Sequence, residues 1–383
     1  MKMLVLGAGL QGSACAYDLL QDKRVERVIV GDLRVDSIPD FLARLRHDSR
    51  LELRHVDARD AHSLREAMSD VDTCLNALPY YFNLEISKYA LEAGIHCCDL
   101  GGNTAIVVDQ KRLDEQARAH DVSIIPDCGL APGMVNILAE AGIQQMDEVG
   151  SVRLFVGGLP QNPEPPLNYQ IVYSLEGVLD YYTTPSWVLE NGQPKQVDAL
   201  SDVETVRFPD PVGALEAFHT AGGLSTMASR YQGKVKTMEY KTLRYPGHAD
   251  IVRAIRGLGL LDQTPVDVKG KSVIPRDAFI ACAEPRLRKP ASKDVVALRV
   301  EVEGRKNGAA HKIAYDLLDF YDEAHAMSAM ERTTGYSLSI TGMLQAERRV
   351  KSVGVLTPDE AIPADLYIGE LVKRGIRIER KEA

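Results

Sequence analysis

The sequence predicts an α/β protein in two parts: an N-terminal doubly wound parallel sheet, followed by an α+β domain with a mixed or antiparallel sheet. Three observations carry this reading. Within residues 1–135, short apolar runs alternate with amphipathic stretches. A glycine-rich turn, Gly7-Ala8-Gly9-Leu10-Gln11-Gly12, joins the first apolar run to the first amphipathic stretch. Past residue 150 the pattern shifts to two-residue alternation punctuated by turn dipeptides.

Taken in order, strands are expected at 2–6, 27–31, 51–56, 73–76, 96–98 and 122–126, with helices at 11–20, 62–68, 82–93 and 109–120 between them. Apolar strands separated by amphipathic helices imply a parallel sheet covered on both faces, wound by right-handed crossovers. The proline-rich stretch 159–166 reads as an ordered loop near a domain junction, because proline lacks the N–H that a helix interior or central strand needs. Asn191-Gly192, between runs at 187–190 and 195–197, marks a hairpin turn. Residues 295–302 and 310–317 alternate as half-buried strands do. A long helix is expected at 324–346. The expected organisation is a nucleotide-binding domain at 1–135, a substrate and dimerisation domain at 136–323, and a segment at 324–383 packing back onto the first domain.

Composition narrows the class of function. The 383 residues are 45% hydrophobic, enough for a large core divided between two domains. The net charge of -9 is spread over mixed signs with no basic run, which argues against nucleic acid and anionic membrane surfaces as partners. No apolar stretch approaches membrane-spanning length. Residues 3–6 enter the glycine turn directly and read as a buried strand, shorter than a signal h-region. The six cysteines form neither a disulfide framework nor a zinc signature, so a reducing cytoplasm is expected and no metal site.

The glycine turn is where chemistry first becomes legible. Gly7 permits the tight turn, Gly9 lets the backbone approach a pyrophosphate, and Gly12 lets helix and strand pack closely. The helix N-terminus, at Leu10 and Gln11, then offers free N–H groups and partial positive charge to the phosphates. Asp32 closes the next strand, placed to accept from ribose hydroxyls and to repel a 2′-phosphate. The context defines a Rossmann domain for NAD, with Arg34 close enough to weaken the exclusion of NADP. In this fold ligands sit at the carboxyl ends of the strands. Asp57 after the third strand, Ala77, Leu78 and Pro79 after the fourth, and Leu100 and Gly101 after the fifth are therefore the further cofactor contacts. Asp57 serves equally well as a helix cap.

Several segments together resemble the saccharopine dehydrogenase-like family. They are the glycine turn, residues 76–83, Asp99-Leu100-Gly101-Gly102, the run from Pro126 through Asp127 and Ala131 to Asn136, and Thr242-Leu243-Arg244-Tyr245-Pro246-Gly247-His248. Tyr173-Ser174-Leu175-Glu176-Gly177, Leu215-Glu216-Ala217-Phe218-His219-Thr220 and Glu239-Tyr240-Lys241-Thr242 are most similar to its lysine 6-dehydrogenase branch. In the saccharopine-forming reductases and carboxynorspermidine dehydrogenases, the stretch matching 129–133 carries an acid where this chain has Ala131. The resemblance thus implies NAD-dependent oxidation of the lysine ε-amine to 2-aminoadipate 6-semialdehyde and ammonia, followed by ring closure. The partner would be a small amino acid, in a homodimer or higher oligomer.

Such chemistry needs a neutral amine and then an attacking water, so a base is required. Asp99 and Asp127 end expected strands on the cofactor side, while Glu176 and His219 lie in the second domain. Each also has a structural reading, as a cap, a solvated face or a core histidine, and the residues alone leave the choice open. Arg244 is the candidate for the substrate carboxylate, since guanidinium pairs with carboxylate through a two-pronged fork; the resemblance implies the same. Tyr173, Thr220 and His248 would support that pocket. The competing readings are a reductase joining an aldehyde to an amine, and an NAD-binding sensor without chemistry.

Overall fold

The computed structural model describes residues 1–172, 174–289 and 292–383. The N-terminal sheet contains β1 (Lys2–Leu6), β2 (Arg27–Asp32), β3 (Leu51–His55), β4 (Thr73–Asn76), β5 (His96–Asp99) and β6 (Ser123–Ile125). Every pairing among them is parallel, in the spatial order β6-β5-β4-β1-β2-β3. Met3 to Leu6 are fully buried, as both-face coverage by helices demands. The order reverses at β1, and the crevice beside it is where a doubly wound sheet takes its ligand.

One helical expectation changes. In place of a single helix at 109–120 there are two, Thr104–Lys111 and Asp114–Ala119. The first begins early because the Asn103 side chain accepts the N–H groups of Ala105 and Ile106, a stronger start signal than the apolar spacing.

The second sheet is mixed and nine-stranded. Its strands are β7 (Glu148–Pro160), β8 (Ser186–Glu190), β9 (Gln193–Val197), β10 (Glu204–Arg207), β11 (Ala214–His219), β12 (Val235–Arg244), β15 (Asp294–Lys306), β16 (Ala309–Phe320) and β18 (Glu379–Glu382); β13 (Val266–Val268) and β14 (Lys271–Val273) form a separate hairpin. β7 lies between β12, to which it is parallel, and β15, to which it is antiparallel. It therefore corrects the reading of 159–166 as loop throughout: the central strand runs through Leu159 and ends on Pro160, opposite Asp294. Proline is tolerated at that last position, where the ladder stops. The Asn191-Gly192 turn joins β8 to β9 with φ of 52° and 76°. Asn307 and Gly308 do the same between β15 and β16, with φ of 51° and 79°.

The helix expected from residue 324 begins at Ala329. Ser328 accepts from the Glu331 N–H while the Glu331 carboxylate accepts from Ser328, a reciprocal cap that sets the start. Asp294 accepts the N–H groups of Ala329 and Met330 as well, tying this helix to the second sheet. The helix also packs against the nucleotide-binding domain. A Cβ on Gly335 would lie 2.6 Å from the Ala14 methyl, and one on Gly342 would lie 2.4 Å from Leu75. The Gln345 amide donates to the carbonyls of Cys97 and Ser123. β17 (Gly354–Val355) then joins the first sheet beside β6, and β18 returns to the second beside β16. The C-terminal segment is thus shared between the two sheets. Cys15, Cys74, Cys97, Cys98 and Cys128 are buried thiols, and Cys282 is exposed. No helix among the described residues is long and apolar enough to cross a membrane.

Candidate active site

The glycine turn has the shape a dinucleotide requires. Gly7, at φ +99°, donates its N–H to the Gly31 carbonyl at 2.8 Å, fastening the turn to β2. A Cβ on Gly12 would sit 1.9 Å from the Gly7 carbonyl oxygen, whereas one on Gly9 would meet nothing within 4 Å. The first glycine closes the helix onto the strand and the second leaves the approach open. Asp32 accepts the Ala8 N–H on one oxygen and the Arg34 N–H on the other, each at 2.8 Å. Both polar ends of the Gln11 amide are buried without a partner among the described residues, although the side chain lines the cleft. An open approach, free helical N–H groups and an amide awaiting a partner fit a pyrophosphate. Asp57 instead turns onto Arg59, which donates to it at 2.9 and 3.0 Å, and it lies outside the cleft lining.

Between the domains lies a cleft of about 520 Å³. One wall is the nucleotide-binding domain, through Gln11, Ala77 to Tyr81, and Leu100 to Gly102. The floor is Val156 and Gly158 of β7 with Tyr240, Thr242 and Arg244 of β12. The opposite wall is the helix Leu175–Thr183 with its cap Ser174, presenting Glu176, Gly177, Asp180 and Tyr181. The walls approach closely, since a Cβ on Gly102 would be 3.6 Å from both the Tyr181 hydroxyl and the Tyr80 Cβ.

Strand alternation decides which candidates reach this cleft. Side chains of β12 point to opposite faces in turn, so Tyr240, Thr242 and Arg244 line the cleft while Glu239 and Lys241 face away. His219 of β11 is paired with Lys241 and shares its face. This overturns His219 as a group in the cleft. Its Nε2 lies 3.1 Å from Glu239, inside a charge cluster where the Lys241 ammonium contacts Asp202 at 2.6 Å and Glu204 at 2.7 Å. Burial pushes Glu239 up, but bonds from His219 and Arg153 outweigh it and hold the carboxyl at about 2. Asp202, His219 and Glu239 are close enough to hold a metal ion, but Lys241 already supplies positive charge to Asp202.

Asp99 is also displaced from the surface of the cleft. It is 1% exposed and accepts from the Asn83 amide, the Gln110 amide and the Gly101 N–H at 2.7–2.9 Å. These bonds make it the anchor of the Gly101 turn. Burial nevertheless raises its carboxyl to about 6. Asp127, at φ +65°, lies one layer beneath Gly101, whose missing Cβ would fall 1.7 Å from its Oδ1. It accepts from the Ser225 hydroxyl, and Oδ1 has no partner among the described residues. Burial, reinforced by Asp99, raises it to about 7. Of the four candidate bases only Glu176 lines the cleft.

Arg244 is 4% exposed at the end of β12. Its Nε–H donates to the Tyr182 hydroxyl at 3.1 Å, Nη1 donates to the Leu243 carbonyl at 2.8 Å, and its guanidinium lies 4.8 Å above the Tyr169 ring. Thr220 is buried beside the floor and outside the lining, with its hydroxyl 2.7 Å from that of Thr242. His248 is likewise set back from the lining, against Tyr182. Tyr173 lies outside the described residues. Sequence reading missed Asp180, Tyr181, Tyr182 and Thr242. Asp180 had a usable signal, four residues after Glu176 and so on the same helical face; the position of Tyr182 depends on tertiary packing.

Together the doubly wound domain, its glycine turn and the interdomain cleft define a two-domain dinucleotide-binding protein. The chain belongs to the saccharopine dehydrogenase family. Residues 3–125 match the saccharopine dehydrogenase NADP binding domain, and residues 129–376 match the saccharopine dehydrogenase C-terminal domain. It is 24% identical over 274 residues to the NADP(+), L-glutamate-forming saccharopine dehydrogenase of Schizosaccharomyces pombe, covering 69% of this chain and 59% of that protein. It is 25% identical over 273 residues to the mitochondrial alpha-aminoadipic semialdehyde synthase of Bos taurus, covering 68% of this chain and 28% of the relative. The match thus spans less than two thirds of either relative's length. Apo saccharopine dehydrogenase (L-Glu forming) from Saccharomyces cerevisiae shares the fold over 100% of this chain and 99% of its own, with a TM-score of 0.80 at 19% identity. The homospermidine synthase of Legionella pneumophila, solved with NAD, does so with a TM-score of 0.71 at 11% identity, over 100% and 91% of the two chains.

Proposed function

We propose that this protein is an NAD-dependent dehydrogenase that oxidises the ε-amine of L-lysine to 2-aminoadipate 6-semialdehyde and ammonia. The observation that carries the reading is the buried guanidinium of Arg244 in the floor of a cleft whose facing walls are the nucleotide-binding loops and the helix bearing Glu176. A buried arginine that lines a cavity suits a carboxylate, and a carboxylate on the opposite wall suits proton transfer from an amine. Ala131 also lines the cleft, so the acid that the reductase branches carry there is missing from this cavity.

The bound dinucleotide supplies the hydride acceptor. Arg244 holds the α-carboxylate and sets how far the side chain reaches. The lysine ammonium, with an ordinary pKa near roughly 10.4, must lose a proton before its carbon can give up hydride. Glu176, which is exposed, takes that proton and passes it to solvent, and as a carboxylate again it activates the water that attacks the iminium carbon. Asp180 is less suited to the role because Arg276 pairs with it at 2.7 Å. The carboxylate of Asp32 beside the glycine turn favours NAD over NADP.

A saccharopine-type reaction with NADP is the second reading, favoured by the names of the relatives and of the matching nucleotide-binding domain. Product analysis separates the two. With L-lysine and NAD, we expect NADH, ammonia and the ring-closed piperideine carboxylate in equal amounts, at a rate that rises toward alkaline pH. Formation of glutamate from saccharopine, with lysine inert, would establish the second reading instead.

A further inference from the structure

We propose that Tyr182 and His248 are positioning residues that lock the Arg244 guanidinium in the orientation that reads the substrate carboxylate. This rests on the reading of Arg244 as the carboxylate site, and it deepens that reading by assigning the side chains that orient it.

The directions of the hydrogen bonds follow from elimination. Guanidinium has donors only, so at 3.1 Å its Nε–H donates and the Tyr182 oxygen accepts. The Tyr182 proton must point elsewhere, and His248 Nε2 lies 3.0 Å from that oxygen. That nitrogen must therefore be bare, which places the ring proton on Nδ1. Nδ1 is 3.0 Å from the Leu167 carbonyl, an acceptor only. One tautomer satisfies every bond, and the chain runs without a break from Arg244 through Tyr182 and His248 to backbone.

Packing leaves little room for another arrangement. Arg244 is 4%, Tyr182 3% and His248 2% exposed. Phe218 stacks flat on the His248 ring, with centroids 6.2 Å apart and planes 6° from parallel. Tyr169 stands edge-on to His248 at 5.5 Å while lying under the guanidinium. Burial, with the neighbouring Arg244 charge, pushes His248 down to about 3, so the ring keeps the neutral form that the relay needs. Removing the tyrosine hydroxyl would take away the acceptor of the Arg244 Nε–H and the donor to His248 Nε2 together. The site would keep its charge and lose its aim.

The test compares ligands with and without a carboxylate. The full-length chain, saturated with NADH, is titrated with L-norleucine, which carries the lysine α-amino acid group but has no ε-amine to oxidise. Tyr182→Phe keeps the ring and removes only the hydroxyl. It should weaken L-norleucine roughly tenfold, the cost of one lost bond to a charged group, and raise KM for L-lysine by a similar factor. KM for cadaverine, lysine without its carboxylate, should change less than twofold. His248→Phe, which keeps the stack on Phe218, should reproduce the pattern; if it fails to fold, Tyr182→Phe decides alone. A folded Tyr182→Phe protein with parental L-norleucine affinity would overturn the relay, as would equal losses on lysine and cadaverine. Failure of the parent to bind L-norleucine would overturn the carboxylate site and the relay together. Binding of L-norleucine without NADH formation from L-lysine would overturn the proposed reaction and leave the relay standing on the titration.

Discussion

The Asp32 carboxylate accepts the Ala8 N–H at 2.8 Å, joining the end of β2 to the glycine turn. An acid held there faces the region where the adenosine ribose sits in this fold, and its charge opposes a 2′-phosphate. Asp32→Ala should therefore raise KM for NAD and lower KM for NADP, shifting the preference between them by about tenfold or more, the scale of a charged hydrogen bond. Steady-state rates with both nucleotides check this. An unchanged ratio would remove Asp32 from the ribose site.

Asp127 predicts a dependence of stability on pH. Its carboxyl is raised from 3.8 to about 7 by burial. A carboxyl raised in the folded state costs nothing below its unfolded value and costs most above its folded value, so stability should fall as pH climbs from about 4 to about 7. Asp127→Asn removes the charge, and asparagine tolerates the positive φ. The Tm advantage of the variant should be near zero at pH 4 and grow to several degrees by pH 8. Asp99 and Asp294, each raised to about 6, push the same way and remain in both proteins, so some decline persists in the variant. A constant Tm difference across that range would contradict the assignment.

These two aspartates mark how far the sequence could be read. The apolar runs and glycine turn were enough to place Asp32 at the end of the second strand, because a strand, a tight turn and a helix are local features with strict steric demands. The same local reading put Asp99 and Asp127 at strand ends on the cofactor side. It could not see that Gly101 closes over both, since that depends on a loop held by Asn83 and Gln110 from other helices. His219 failed for a further reason. Which face of the sheet it takes is set by its register opposite Lys241, and a shift of one residue would reverse it. Arg244 could be singled out by its chemistry and lies in the cleft lining, whereas the position of Tyr182 behind it emerges only from packing.

Glu176→Gln separates proton transfer from binding. The amide keeps the size of the side chain and cannot take a proton, so kcat for L-lysine should fall by roughly a hundredfold to ten-thousandfold, the range of general-base contributions. L-Norleucine affinity should stay within about twofold. Parental kcat in the variant would transfer the role of base to another group.

Arg244→Ala should cost about 1.5–3 kcal/mol in lysine binding, roughly tenfold or more. Because binding at the carboxylate also positions the ε-carbon, kcat should fall with it. Cadaverine should lose much less, and NADH affinity should be little changed. Equal losses on lysine and cadaverine would show that Arg244 does not read the carboxylate.

Initial rates of nicotinamide reduction with L-lysine and with saccharopine, each against NAD and NADP, decide between the two reactions. L-Lysine with NAD should be the fastest of the four combinations and should release ammonia. Reduction of NADP driven by saccharopine, with L-lysine inert toward both nucleotides, would contradict the proposed lysine oxidation.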